Sequence, residues 1–462
     1  MSSLTRRQML GTAAVGAAEL WTFSAPLGSV RAALAGMAPV ERRGLRIADI
    51  ERHVILVPYH DYNALALIRY HGVSLQYRTI FIAKTENGLE GFGESPGKDW
   101  PAEDQLQKYI GTDPFDWIGD TANLPINMAL YDLMGKHLGL PAWKLIGPKV
   151  RDWVNVAAWT VSQHPELMAE EVRSVVRRGY GWLKYHVDQT QNVIDQTQAM
   201  QSAAPKGFKV HYDFNANSNV EAVYPVLKEL ERFPIAGRVE DPILPADEEG
   251  YRLLRRKCNI PILLHHAPPK VMVKRLCDGY MAGHSPVGMA ARTAAVADAT
   301  NTPFMLQNVG GTINQAFLAH EAAVFKMATI DHVNVCHLWK DDVTTESMPV
   351  VGGSVKVPGG PGLGVTLDYD KLEKYKNQPE LDPGRFLVRV KYANGLIVYF
   401  RHDPSQPGQT DVMRYLERRG VPGPVPGYGN AVVTDFWDES GSVEFERIYK
   451  EADTGPVTVD GR

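Results

Sequence analysis

Four short apolar runs, each ending in groups that can ligate a metal or move a proton, constrain this chain more than any other feature. They are Gly181-Trp182-Leu183-Lys184-Tyr185-His186-Val187, His211-Tyr212-Asp213-Phe214-Asn215, Arg238-Val239-Glu240-Asp241-Pro242 and Pro261-Ile262-Leu263-Leu264-His265-His266. They recur about every 25 to 30 residues, roughly one strand-and-helix unit of a (β/α)8 barrel. Parallel barrel strands put their C-terminal ends on one face, so these polar groups are expected to converge there.

The surrounding pattern extends that reading. From Trp153 onward, strand and helix signals alternate. Strands are expected at Trp153–Thr160, Trp182–Val187, Lys209–Phe214, Gly237–Glu240, Ile260–His265, Gly279–His284, Pro303–Asn308 and His332–His337. Amphipathic helices such as Pro165–Arg178 and Val220–Phe233 separate them, which favours a barrel over a doubly wound sheet. Before the barrel, Leu45 to Tyr59 and Tyr77 to Lys84 read as strands, and Asn87-Gly88 turns the second into a hairpin with Leu89–Glu94. A helix is expected from Asn123 to His137, stopped by Gly139. Tyr59-His60-Asp61-Tyr62-Asn63 and Arg69-Tyr70-His71 form a polar, aromatic loop that either covers a substrate or is plain surface. After Gly364 the barrel pattern ends. A second hairpin follows around Asn394-Gly395, then a Pro/Gly-rich run at Gly420–Gly427 and an acidic tail.

The domains expected are therefore a leader over residues 1–35, an α+β cap over 45–150, a barrel over 151–370 and an extension over 371–462. With 462 residues, 44% of them hydrophobic, the chain can bury cores of that size. A formal net charge of −4 with scattered basic residues offers nothing to nucleic acid. The three cysteines, Cys258, Cys277 and Cys336, lack metal-ligand spacing. Thr5-Arg6-Arg7-Gln8-Met9-Leu10 resembles a twin-arginine export motif, followed by small residues and an Ala33-Leu34-Ala35 cleavage sequence, although Glu19 interrupts the apolar stretch. A periplasmic or secreted protein, not held in a membrane once mature, is expected.

Asp213 and Glu240 are hard oxygen ligands of the kind a divalent cation takes. Asn215 shares a strand face with Asp213 and can support the metal or a substrate oxygen. Lys184 and His186 share a face one unit earlier. Near a cation the protonated form of either is disfavoured, so either can serve as a base. The plain alternatives are a surface carboxylate, an ion-paired lysine and a core histidine.

The order Lys-x-His, Asp-x-Asn, Glu-Asp-Pro and Pro-Ile resembles the mandelate racemase/muconate cycloisomerase branch of the enolase superfamily. Asn127–Lys136 with Gly139-Leu140-Pro141 is similar to that family's domain-junction helix, and Gly359–Gly364 to its segment after the barrel. The resemblance covers about Leu45 to Asp368. It implies a modified (β/α)7β TIM-type barrel under an α+β capping domain, here with a C-terminal extension. It also implies abstraction of the proton α to a carboxylate, with the enolate held on a divalent metal, and a homo-oligomer is expected.

The departures redirect the chemistry. His186 stands where the family usually has a second lysine. His265 and His266 replace the third carboxylate ligand, and strand alternation turns only one inward. Ala282 and Gln307 occupy the places of the family's other base. Magnesium is expected from the resemblance, while a ligand set of Asp213, Glu240 and His265 suits Mn, Fe or Zn. With bases on one side, a lyase (dehydratase) acting on a hydroxy-carboxylate or sugar acid is favoured. Lys184 or His186 would take the proton, and His284 or His337 would protonate the leaving hydroxyl. Asn215, His266, Tyr59 and His60 are expected around the small carboxylate substrate. A racemase, epimerase or cycloisomerase is the alternative; a carboxylate-binding relative without turnover is the third reading.

Overall fold

A computed structural model describes residues 45–69, 76–98, 100–187, 191–216, 218–401 and 432–461. The leader motif, Tyr70, His71 and the Pro/Gly-rich run at 420–427 lie outside the described residues.

Strands β1 (Ile47–Leu56), β2 (Tyr77–Thr85) and β3 (Glu90–Pro96) form an antiparallel sheet in that order. The β2–β3 turn passes through Gly88 at φ 85°, a conformation that glycine adopts without cost. The expected helix runs from Leu124 to Leu138 and ends on Gly139 in the left-handed region. Its Asp132 joins three elements. One oxygen accepts the Phe92 N–H of β3 at 3.0 Å, the other accepts the Leu363 N–H at 2.8 Å, and Lys136 pairs with it at 2.7 Å. A Cβ at residue 362 would stand 2.1 Å from Asp132 Oδ1, so Gly362 is what lets the segment after the barrel approach this helix.

β4 (Trp153–Asn155) pairs antiparallel with β12 (Ser354–Lys356). The barrel itself begins with β5 (Ala158–Thr160), so the strand expected from Trp153 to Thr160 is split in two. β6 (Trp182–His186), β7 (Lys209–Asp213), β8 (Ala236–Glu240), β9 (Ile262–Leu264), β10 (Gly279–Gly283) and β11 (Phe304–Gln307) follow. Each is parallel to the previous one, giving a seven-stranded sheet. The eighth strand expected at His332–His337 is reduced to two bridges. His332 pairs with Val156 and Val333 with Gln307, which links the two edges of the curled sheet. Extension stops there because Asn334 Oδ1 accepts the Cys336 N–H at 3.0 Å and Val335 takes φ 64°. Cys336–Leu338 is then a 3-10 turn.

Alternation sorts the strand residues into two layers. Leu183, Tyr185, Val210, Tyr212, Val239, Ile262 and Leu264 pack outward into one core with Val172, Leu227 and Leu254 of the surrounding helices. Leu263, Met281 and Met305 belong to a second core with Trp159 and Val333. At the equivalent positions of β6 to β8 stand Lys184, His211, Asp213, Arg238 and Glu240, all buried. One half of the inner layer is thus apolar and the other ionic.

The extension is folded. Its sheet has the order β15 (Val432–Trp437), β13 (Leu387–Tyr392), β14 (Leu396–Arg401), β16 (Val457–Asp460). The expected acidic tail therefore holds strand β15, a helix over Val443–Glu451 and strand β16, which pairs with β14. This sheet meets the cap where Arg69 bonds Asp438 at 3.0 Å and the Pro383 carbonyl at 2.9 Å.

Candidate active site

Lys184 is the centre of the ionic half. Its ammonium lies 3.0 Å from Asp213 Oδ2 and 2.8 Å from Glu240 Oε2, and donates to Gln307 Oε1 at 2.7 Å. The side chain is 0% exposed. Burial opposes its charge, but the two carboxylates outweigh burial and hold its pKa above the ordinary value. Lys184 therefore keeps its proton, and the role of base passes away from it.

The ionic chain continues inward. His211 Nε2 stands 2.8 Å from Glu240 Oε2, and His211 Nδ1 accepts from Arg238 Nε at 3.1 Å. Accepting at Nδ1 fixes the proton on Nε2, facing Glu240. Burial lowers the His211 pKa to about 3, so the ring is neutral. Arg238 pairs in turn with Asp331 at 3.0 Å and covers the Trp182 ring. Burial disfavours the charge of Glu240, yet Lys184 and His211 hold its carboxyl well below the usual range. Burial and the neighbouring Glu240 push Asp213 up to about 7. His211 and Arg238 were not among the expected site residues; lying two residues before Asp213 and Glu240, they share their strand faces.

His186 ends the same strand as Lys184 but is differently placed. Its Nε2 lies 3.3 Å from Asp213 Oδ2, its ring meets Trp159 edge-on at 5.1 Å, and 24% of the side chain is exposed. Asn215 sits in the following turn at φ 51°, and its N–H donates to Asp213 Oδ1 at 2.9 Å.

The three expected metal ligands lie close together, with Asp213 and Glu240 both on the Lys184 ammonium and His265 beside Glu240. The ammonium stands between Asp213 and Glu240. His265, whose Nδ1 is 3.4 Å from Glu240 Oε1, also gathers with Asp241 and His266. A divalent ion at the Asp213–Glu240 position would meet the Lys184 charge at contact distance, so that trio does not fit one with Lys184 in place. Asp241 organises the neighbouring turn. Its oxygens accept the His265 N–H at 2.9 Å and the His266 N–H at 3.1 Å, and His266 Nδ1 lies 2.5 Å from Oδ2. That contact, more than partial burial, raises the His266 pKa.

The remaining candidates divide. His284 follows β10 at φ 48°, its N–H donating to the Gln307 carbonyl at 2.7 Å. His337 is buried, with Nε2 2.9 Å from the Trp159 carbonyl and the ring against Tyr180. Burial lowers its pKa to about 3, so the ring is neutral, which suits a packing role and makes it a poor acid. Tyr59 is a core residue stacked on Trp339 rather than part of a substrate cover. His60 is half-buried beside it, its N–H on the Leu338 carbonyl at 3.2 Å.

Residues 167–371 match the family model described as enolase C-terminal domain-like. The D-gluconate dehydratase of Thermoproteus tenax is 28% identical over 294 residues, which make up 57% of this chain and 58% of that protein. The chain thus spans less than two thirds of that relative's length. The D-galactonate dehydratase of Xanthomonas oryzae pv. oryzae is 26% identical over 285 residues, 55% of this chain and 73% of the other. The crystal structure of a mandelate racemase/muconate lactonizing family protein from Azoarcus sp. EbN1 matches with a TM-score of 0.60 and 20% identity, covering 73% of this chain and 98% of that one. That last likeness is one of fold.

Proposed function

We propose that this chain, which belongs to the enolase superfamily in its mandelate racemase/muconate cycloisomerase branch, is a lyase that dehydrates a hydroxy-carboxylate of the sugar-acid class. Two relatives named for dehydration of D-gluconate and D-galactonate support the reaction class. The observation that carries the mechanism is the inequality of Lys184 and His186. Lys184 is shut in among Asp213, Glu240 and Gln307, whereas His186 reaches solvent at the strand end.

In this reading neutral His186 takes the proton α to the substrate carboxylate. The electron pair left on the α-carbon expels the β-hydroxyl, which leaves as water after protonation, and the resulting enol becomes a 2-keto-3-deoxy acid. Asp213 orients the His186 ring and stabilises it once protonated. His284, at the end of β10, is the candidate acid for the leaving group; burial, His265 and Lys184 lower its pKa to about 4, and a bound substrate carboxylate would favour its charged form. Asn215 remains the candidate for a substrate oxygen. Superfamily members use a divalent metal for the enolate; here the Lys184 ammonium stands between Asp213 and Glu240.

An isomerase of the same superfamily is the second reading. The Asp241–His266 contact favours it, since it supplies another imidazole able to move a proton. A screen of sugar acids in heavy water separates the readings. Keto-deoxy product supports the lyase, deuterium uptake without loss of water supports the isomerase, and binding without either leaves a relative that has lost turnover. Export rests on Thr5–Leu10, the small residues after it and Ala33-Leu34-Ala35, and we propose a periplasmic or secreted location; activity confined to the cytoplasm on fractionation would refute it.

A further inference from the structure

We propose that a transition-metal ion binds at Asp241, His265 and His266, while Lys184 keeps the Asp213–Glu240 position as a built-in cation. Each of the three residues offers a ligand atom, and these atoms lie within 4.8 Å of one another. Ligands about 2.0–2.2 Å from a tetrahedral ion stand about 3.4 Å apart, so modest side-chain rotations close the set.

The local bonding prepares it. Asp241 holds both histidines through their backbone N–H groups, and its Oδ2 stands 2.5 Å from His266 Nδ1, so carboxylate and imidazole already face one another and an ion would replace that contact. His265 Nδ1 is buried, with only the 3.4 Å contact to Glu240 Oε1. Its ring lies over β10, where a Cβ on residue 283 would stand 2.3 Å from Nε2, so Gly283 keeps the space open. Two imidazoles with one carboxylate favour zinc, iron or manganese over magnesium.

Charge also calls for an ion here. Asp213 and Glu240 have the Lys184 ammonium between them, whereas Asp241 has only the two histidines beside it. The site does not depend on the lyase reading, and its test needs no turnover.

Full-length protein stripped with chelator is titrated with Zn²⁺ and with Mg²⁺ by calorimetry, alongside His266→Gln and Asp213→Asn, each checked for a native melting transition. The proposal expects one tightly bound Zn²⁺, weakened about 100-fold or more by His266→Gln and unchanged by Asp213→Asn. X-ray absorption of the zinc-loaded wild type, which needs no variant, should count two imidazole ligands. Absence of stoichiometric Zn²⁺ binding, retention of it in His266→Gln, its loss in Asp213→Asn, or a single imidazole would each overturn the proposal.

Discussion

The Lys184 ammonium stands 3.0 Å from Asp213 Oδ2, and this contact changes what both residues can do. A lysine beside a metal would lose its proton readily, but one beside two carboxylates keeps it. Asp213 in turn shares its negative charge with Lys184 and with His186, so it serves as the brace of a base.

Lys184→Met should cost about 3–5 kcal/mol of stability at neutral pH, because it leaves Asp213 and Glu240 buried without their cation. Urea unfolding measures it. The same variant vacates the Asp213–Glu240 position, so divalent-ion stoichiometry should rise from one to two. A neutral effect on stability would mean that Lys184 is not holding the two carboxylates.

His186→Asn should slow proton abstraction by about 10²–10⁴-fold while leaving the melting temperature and zinc stoichiometry as in the wild type. Exchange of the substrate α-proton, followed by NMR, reads this directly. Lys184 would be restored as the base if exchange persisted at the wild-type rate.

Gly283→Ala should weaken zinc binding with little change in fold. The added methyl would displace the His265 ring, while the backbone there lies outside the left-handed region and accepts alanine. Calorimetry on the variant and wild type checks it. Equal affinities would show that His265 binds in some other orientation.

Glu321 gives a pH-dependent test away from the site. It is fully buried, both carboxyl oxygens lack a hydrogen-bond partner, and burial raises its pKa well above the usual value. Below the ordinary pKa of 4.5 both folded and unfolded forms are protonated and there is no penalty. As pH rises, the unfolded chain ionises freely and the folded chain resists, so stability is lost. Glu321→Gln should therefore stabilise by about 1–3 kcal/mol near pH 8 and by little near pH 4, measured by thermal unfolding at both. A gain of equal size at the two pH values would contradict this.

Much of the fold was legible because its signals are local. Gly88, Gly139 and Gly395 take positive φ at the turns where the sequence called for them, and the barrel strands follow from the recurrence of short apolar runs. The eighth strand was not legible, since it is cut short by the Asn334 side chain. Nor was β16, whose pairing with Leu396–Tyr399 joins segments about 60 residues apart. At the site, spacing identified the strand ends but not their partners. Lys184 could be placed on the face of His186, yet its three contacts come from β7, β8 and β11. The choice between His265 and His266 escaped alternation because β9 ends at Leu264, and Asp241 then draws both backbone amides into one turn.

The central claim is that His186 removes the α-proton of a sugar acid. The most direct measurement is NMR of the full-length protein, loaded with Zn²⁺ or Mn²⁺, acting on a panel of aldonic acids in heavy water. We predict that at least one acid loses water to give a 2-keto-3-deoxy product in the wild type, and that His186→Asn abolishes this. A wild type that neither exchanges the α-proton nor eliminates water from any acid it binds would contradict the account.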